Sequence, residues 1–149
     1  MNHDDYDDAY LRDVLGSEGV IAVVGLSANP ARASHDVFLD LKRRGFTVVG
    51  VNPGLAGQEI GGAPVYARLV DAPGPVAIVN VFRNSEDAAS AVDEALALAP
   101  LPRAIWMQLS VRNDAAARRA EAKGVKVVMD RCIKVEIARL GVRPHRLPG

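Results

Sequence analysis

The segment Gly25–Ser34 contains the residue types that bind phosphate groups. It reads Gly-Leu-Ser-Ala-Asn-Pro-Ala-Arg-Ala-Ser and joins an apolar run to a helical pattern. A helix amino terminus offers free backbone N–H groups and the positive end of the helix dipole to an anion, and Arg32 adds a cation. The segment therefore predicts a phosphate site. The alternative is a tight turn at Gly25 followed by a solvated arginine.

The segment Val51–Gly54 distinguishes between two classes of nucleotide site. The segment Gly25–Ser34 is like the Gly-x-Gly-x-x-Gly fingerprint of dinucleotide sites, but Ser27 and Pro30 replace its second and third glycines. NAD sites usually have Asp or Glu at the end of the second strand, where it binds the ribose 2′-hydroxyl. Asn52 stands there instead, which argues against NAD. The Asn-Pro-Gly sequence is equally consistent with a simple turn and with a loop that contacts a ligand.

Three more segments end in polar or reactive residues. Arg83 follows Phe82, so a second cation lies beside an aromatic ring that either packs in the core or borders a ligand. Trp106 and Gln108 share one face of a strand pattern, because alternate residues of a strand point to the same side. Cys132 follows an arginine and is either a reactive thiol or an inert apolar side chain.

The sequence lacks the motifs of common catalytic sites. Its three histidines, His3, His35 and His145, are scattered, and there is no cysteine pair for zinc, no Gly-x-Ser-x-Gly elbow and no Walker loop. We therefore predict no catalytic residues, no metal and no enzymatic activity.

Six apolar runs predict the strands that position these loops. Most are short, nearly continuous and rich in Val and Ile, which is typical of parallel strands covered on both faces. The runs are Val20–Val24, Phe46–Val51, Pro64–Tyr66, Val76–Phe82, Ala104–Leu109 and Val125–Met129.

Helical patterns alternate with these runs. Ser34, Asn84 or Ser85, and Asn113 are candidate N-caps of three helices, and two flanking helices are expected over Tyr6–Leu15 and Ile133–Leu140. The alternation predicts an α/β fold: a single doubly wound Rossmann-type domain with a mostly parallel five- to six-stranded sheet and helices on both faces. Ligands of such sheets bind at the carboxyl ends of the strands.

Length and charge limit the classes of partner. The 149 residues suit one domain, with a core over about residues 4–140 and a tail, 143–149, that is expected to fray. Eighteen basic and eighteen acidic residues leave no net charge, which argues against nucleic acid and membrane surfaces as partners. The acidic start and the single cysteine predict a cytoplasmic protein without disulfides. We expect a monomer or a weak homodimer.

The order of these segments resembles that in small bacterial coenzyme A (CoA)-binding proteins, which are similar to the CoA-binding domain of the succinyl-CoA synthetase α subunit. The similarity spans about residues 4–140. Ala33 stands where these proteins often have proline. The segments that carry the resemblance are residues 23–32, 51–53, 81–84, 106–109 and 128–132.

This resemblance implies a CoA or acyl-CoA ligand, with the first loop around its phosphates. No second domain or phosphorylated-histidine loop is present, so ligase activity is not expected. Two alternatives remain open: an NAD(P)-linked oxidoreductase, and a redox-responsive interaction protein that uses Cys132. The predicted ligand-binding residues are Gly25, Ser27, Ala28, Asn29, Pro30, Arg32, Asn52, Pro53, Val81, Phe82, Arg83, Gln108 and Cys132.

Overall fold

A computed structural model of the chain describes residues 1–144. Most of the predicted tail lies outside this range. The strands are β1 (Val20–Val24), β2 (Val48–Val51), β3 (Glu59–Ile60), β4 (Ala63–Tyr66), β5 (Val76–Val81), β6 (Ala104–Met107) and β7 (Lys126–Val128). The helices are α1 (Asp8–Leu15), α2 (Ala33–Arg43), α3 (Ala88–Leu96), α4 (Asp114–Ala122) and α5 (Ile133–Leu140).

The strands form one seven-stranded sheet in the order β3-β4-β2-β1-β5-β6-β7. All neighbouring pairs are parallel except β3 with β4. The predicted α/β architecture is confirmed. The sheet has one strand more than the five to six predicted, because the short β3 was not predicted. A strand of two residues has no periodicity that a sequence pattern could reveal. Strand order reverses between β1 and β5, which places the ligand crevice of a doubly wound sheet there.

Two apolar layers cover the sheet. One face packs against α1, α2 and α5, and the other packs against α3 and α4. Trp106 is fully buried in the first layer, whereas its neighbours Ile105 and Met107 are buried in the second. The predicted alternation along β6 is therefore confirmed, and helices lie on both faces as expected.

Two of the three predicted helix caps are wrong, and the cap at Asn113 is confirmed. Asn113 is the N-cap residue of α4 and accepts a hydrogen bond from the Ala116 N–H at 3.0 Å. Asn84 accepts from the Asp87 N–H at 2.8 Å, but this bond lies in the turn before α3, whose cap residue is Asp87 without a side-chain cap bond. Ser34 lies inside the first turn of α2, and Arg32 occupies the cap position without a side-chain cap bond. The Ser34 hydroxyl instead accepts a hydrogen bond from the Ser27 N–H at 3.0 Å, because the preceding loop folds back over the helix.

Two tyrosine hydroxyls cover the edge strand β7. Tyr10 donates to the Val127 carbonyl at 2.8 Å and accepts from the Val127 N–H at 3.1 Å. Tyr6 accepts a hydrogen bond from the Met129 N–H at 2.8 Å. Burial raises the pKa of Tyr10 to about 12. These bonds satisfy the backbone groups that an edge strand otherwise exposes for pairing with another chain.

Within residues 1–144, no helix has the length and apolar character needed to cross a bilayer.

Candidate functional site

Two neighbouring clefts lie at the carboxyl ends of the central strands. The first cleft, about 530 Å³, lies where β1, β2 and β5 end, and the second, about 470 Å³, lies between α2, the ends of β5 and β6, and the start of α5. Both are lined by Ala33 and Phe82, so they form one continuous crevice at the place where strand order reverses.

Side chains of the first loop, residues 25–34, hold its backbone in place. Ser27 accepts from the Asn29 N–H, and Asn29 accepts from the Ala31 N–H, both at 3.0 Å. Ser34 accepts from the Ser27 N–H at 3.0 Å. The His35 ring nitrogen Nδ1 lies 2.9 Å from the Ser27 carbonyl and must donate, because a carbonyl oxygen only accepts. The loop is therefore held in place without the second and third glycines of a dinucleotide fingerprint.

The N–H groups left over from this network are suited to an anion. Those of Ala28, Ala33 and Ser34 make no hydrogen bond within the described part of the chain. Ala33 and Ser34 open α2, where the positive end of the helix dipole lies. Arg32 is exposed in the first cleft and has no ion pair among residues 1–144. Ala33 supplies an N–H donor that a proline at this position would lack.

Gly25 permits the close approach of two strand ends. Its φ angle is +90°, and a Cβ atom there would lie 2.7 Å from the Phe82 carbonyl oxygen. Any side chain would push the first loop away from the end of β5. The predicted tight turn and the predicted phosphate loop are therefore parts of the same structure.

Asn52 joins the loops that follow β1 and β2. Its side-chain N–H donates to the Leu26 carbonyl at 2.7 Å, and its oxygen accepts from the Gly54 N–H at 2.9 Å. Both bonds are made inside the protein, so the Asn52 amide acts chiefly as a positioning group at the wall of the first cleft.

Phe82 and Arg83 lie at the end of β5, between the clefts. The half-buried Phe82 ring packs against the core and lines both clefts, so core packing is confirmed and contact with a ligand stays a prediction. Arg83 lines the second cleft, and no acidic partner is found for it in the described range. The crevice thus contains a second arginine whose charge is not neutralised by the protein.

The second cleft brings Gln108 and Cys132 together. Buried Gln108 accepts from the Ile133 N–H at 3.4 Å, at the start of α5. The half-buried Cys132 precedes that helix as its N-cap residue. Asp36 and Lys134 form an ion pair of 2.8 Å in this cleft. The hydrogen bond from Lys134 lowers the pKa of Asp36, and the same bond raises that of Lys134.

Comparison with known proteins identifies the family. Residues 19–138 match the family model described as CoA binding domain. The chain belongs to this family. It is 38% identical over 128 residues to the uncharacterized protein YneT of Bacillus subtilis (strain 168), covering 85% of this chain and 91% of YneT.

Solved structures agree with this membership. A Thermus thermophilus protein, cell-free ID.343, is 36% identical with a TM-score of 0.83, covering 91% of this chain and 99% of its own. A hypothetical protein from Pyrococcus horikoshii OT3 is 27% identical with a TM-score of 0.85, covering 95% of this chain and 97% of its own. The similarity to the synthetase subunit stays a prediction.

Most residues predicted from the family resemblance lie along the crevice. Val81 does not: it is fully buried on the opposite face of the sheet and lines neither cleft. Asn29, Pro30 and Pro53 are exposed on the two loops outside the cleft walls. The predicted residues that line a cleft are Gly25, Ser27, Ala28, Arg32, Asn52, Phe82, Arg83, Gln108 and Cys132.

Sequence reasoning missed Asn80. This fully buried residue of β5 donates to the Trp106 carbonyl at 3.2 Å and lies 3.5 Å from the Gln108 side-chain oxygen. Its own side-chain oxygen has no hydrogen-bond partner in the described range. One amide within the otherwise apolar run of β5 was the available signal, since a buried polar group costs free energy unless it has partners.

We expect Asn52→Ala to lower the free energy of unfolding by about 1–2 kcal/mol, because two hydrogen bonds between the loops are lost. Urea denaturation followed by circular dichroism measures the change. Asn2→Ala is the matched control. The Asn2 side chain makes one exposed hydrogen bond near the chain terminus, so its loss should hardly change the free energy of unfolding. Equal destabilisation by the two substitutions would contradict the positioning role of Asn52.

Proposed function

We propose that the protein binds CoA or an acyl-CoA in the crevice formed by the two clefts. The phosphates lie in the first cleft, and the pantetheine arm runs past Phe82 toward the second cleft. The observation that carries the proposal is the set of unbonded N–H groups at Ala28, Ala33 and Ser34 beside unpaired Arg32. Membership of the CoA binding domain family supports it.

The chemistry of CoA suits this crevice. Its diphosphate and 3′-phosphate need N–H donors and cations. Arg32 and Arg83 are suitable cations, because neither forms an ion pair with another residue in the described range. Charge-assisted hydrogen bonds of this kind are shorter and stronger than neutral ones. Its uncharged arm with a terminal thiol suits the second cleft, where apolar side chains predominate.

We also propose that binding occurs without catalysis, as in a carrier or sensor. Of the acid–base groups in the second cleft, Asp36 and Lys134 neutralise each other in an ion pair. His35 holds the first loop through Nδ1, and His3 lies elsewhere, bonded to Tyr6 and Glu121. The NAD(P)-linked oxidoreductase is not favoured, since the Asn52 amide is already bonded to two backbone groups.

CoA should raise the melting temperature, while NAD and NADP should raise it much less. At a concentration of about 100 times its dissociation constant, a ligand that binds only the folded protein stabilises it by about 2.7 kcal/mol. Differential scanning fluorimetry with the three ligands at equal concentration measures this. A shift with NADP equal to or larger than that with CoA would overturn the assignment.

Arg32→Ala should weaken CoA binding by about 1.5–3 kcal/mol, because one charge-assisted contact to a phosphate is lost. The fold should be unaffected, since Arg32 makes no ion pair within the described residues. Isothermal titration calorimetry compares it with Arg118→Ala, which removes an exposed arginine of α4 outside both clefts. The same affinity in both variants would make Arg32 a surface cation only.

The position of Cys132 favours a second candidate function, a redox-responsive use of the same site. The half-buried thiol lies in the cleft assigned to the thiol end of CoA. With CoA disulfide as oxidant, the Cys132 thiolate would attack one sulfur, form a mixed disulfide and release one CoA thiol.

Intact-protein mass spectrometry tests this function. Wild type incubated with CoA disulfide should gain the mass of one CoA, dithiothreitol should reverse the gain, and Cys132→Ser should show none. An unmodified wild type under conditions that saturate CoA binding would leave Cys132 as a packing residue.

A further inference from the structure

The second cleft has an apolar rim that phosphate binding does not explain. Leu109 and Val135 are 58% and 55% exposed, and both line this cleft. Within residues 1–144, only five large hydrophobic side chains are exposed by 40% or more, and one of those is the initial methionine. Two of the five therefore lie on opposite sides of one opening, after β6 and on α5.

The interior of the second cleft continues this apolar surface. Val37 and Val111 are buried in its walls, and half-buried Phe82 separates it from the first cleft. The apolar part of the wall thus runs from the shared residue Phe82 out to the rim formed by Leu109 and Val135.

The charges of the second cleft are placed unfavourably for a terminal carboxylate at its rim. Lys134 is neutralised by Asp36 at 2.8 Å. Arg83 is the unpaired cation of this cleft, but its Cγ atom lies 3.4 Å from the position that a Cβ on Gly25 would take, so its stem lies at the end of the cleft next to Gly25 and not at the rim. An uncharged chain therefore fits the outer part of the second cleft better than an anionic chain.

We propose that the second cleft binds the acyl chain of an aliphatic acyl-CoA. This inference rests on the proposed function and specifies its ligand. The occupant follows from continuity, since Ala33 and Phe82 line both clefts and a chain attached to the CoA thiol extends past them. Burial of its methylene groups against Leu109 and Val135 removes apolar surface of both molecules from water.

A second copy of the protein is a weaker candidate for this rim. Stable interfaces bury about 800 Å² on each partner, and two exposed side chains beside a cleft provide far less apolar surface than that. With walls from both α2 and α5 and a volume of about 470 Å³, the cleft suits a single chain of methylene groups.

Isothermal titration calorimetry with CoA, hexanoyl-CoA and succinyl-CoA tests the proposal. For wild type we expect hexanoyl-CoA to bind at least about tenfold more tightly than CoA, and succinyl-CoA to gain no such advantage. In the double variant Leu109→Ser/Val135→Ser the hexanoyl advantage, taken as the ratio of the affinities for hexanoyl-CoA and CoA in the same variant, should fall to about onefold. The matched control Val70→Ser/Leu101→Ser alters the same residue types at exposed positions outside both clefts and should retain the advantage.

The other outcomes separate this inference from the proposed function. Equal affinity for CoA and hexanoyl-CoA in wild type, or tighter binding of succinyl-CoA, would overturn the acyl site and leave CoA binding standing. No binding of any of the three would overturn both. Sedimentation velocity supplies a further check: a wild-type dimer that becomes monomeric in the Leu109→Ser/Val135→Ser variant would assign the rim to contact between copies instead.

Discussion

The close approach of β1 and β5 at their carboxyl ends determines the shape of the crevice. The Phe82 N–H donates to the Val24 carbonyl at 2.9 Å, and the Gly25 N–H donates to the Val51 carbonyl at 3.0 Å. Three strand ends are thus bonded together up to the point where the chain turns. From there the chain leaves β1 toward α2 on one face and leaves β5 toward α3 on the other. The crevice is the gap between these diverging paths, and it requires that Gly25 have no side chain.

Polar side chains fix the first loop before any ligand arrives. Ser27, Asn29 and Ser34 accept hydrogen bonds from backbone groups of the loop, and Asn52 fastens it to the neighbouring loop. A binding segment that is already ordered loses little conformational entropy on binding, so more of the contact energy appears as affinity. At the position of the second fingerprint glycine the loop has Ser27, whose hydroxyl accepts a hydrogen bond from the Asn29 N–H.

The sequence predicted the elements well because buried parallel strands are nearly continuous apolar runs. It also placed Arg32, Phe82 and Cys132 along one edge, since carboxyl ends of parallel strands share an edge. It could not predict contacts that depend on side-chain orientation between distant segments. The bond from Asn52 to Leu26 leaves no local pattern, and the amide of Asn80 stands out in its apolar run but does not reveal that Trp106 is its partner.

The tyrosine cover on β7 has a consequence for biosynthesis. Tyr10 and its partner Val127 are 117 residues apart in the chain, and Tyr6 and Met129 are 123 residues apart. The covering residues leave the ribosome early, but the strand they cover is among the last to emerge. Until then the β6 edge lacks its neighbour and the tyrosines lack their partners, so the nascent sheet has an open side. Contacts between such distant segments form slowly, and exposed strand edges make partly folded chains prone to aggregation.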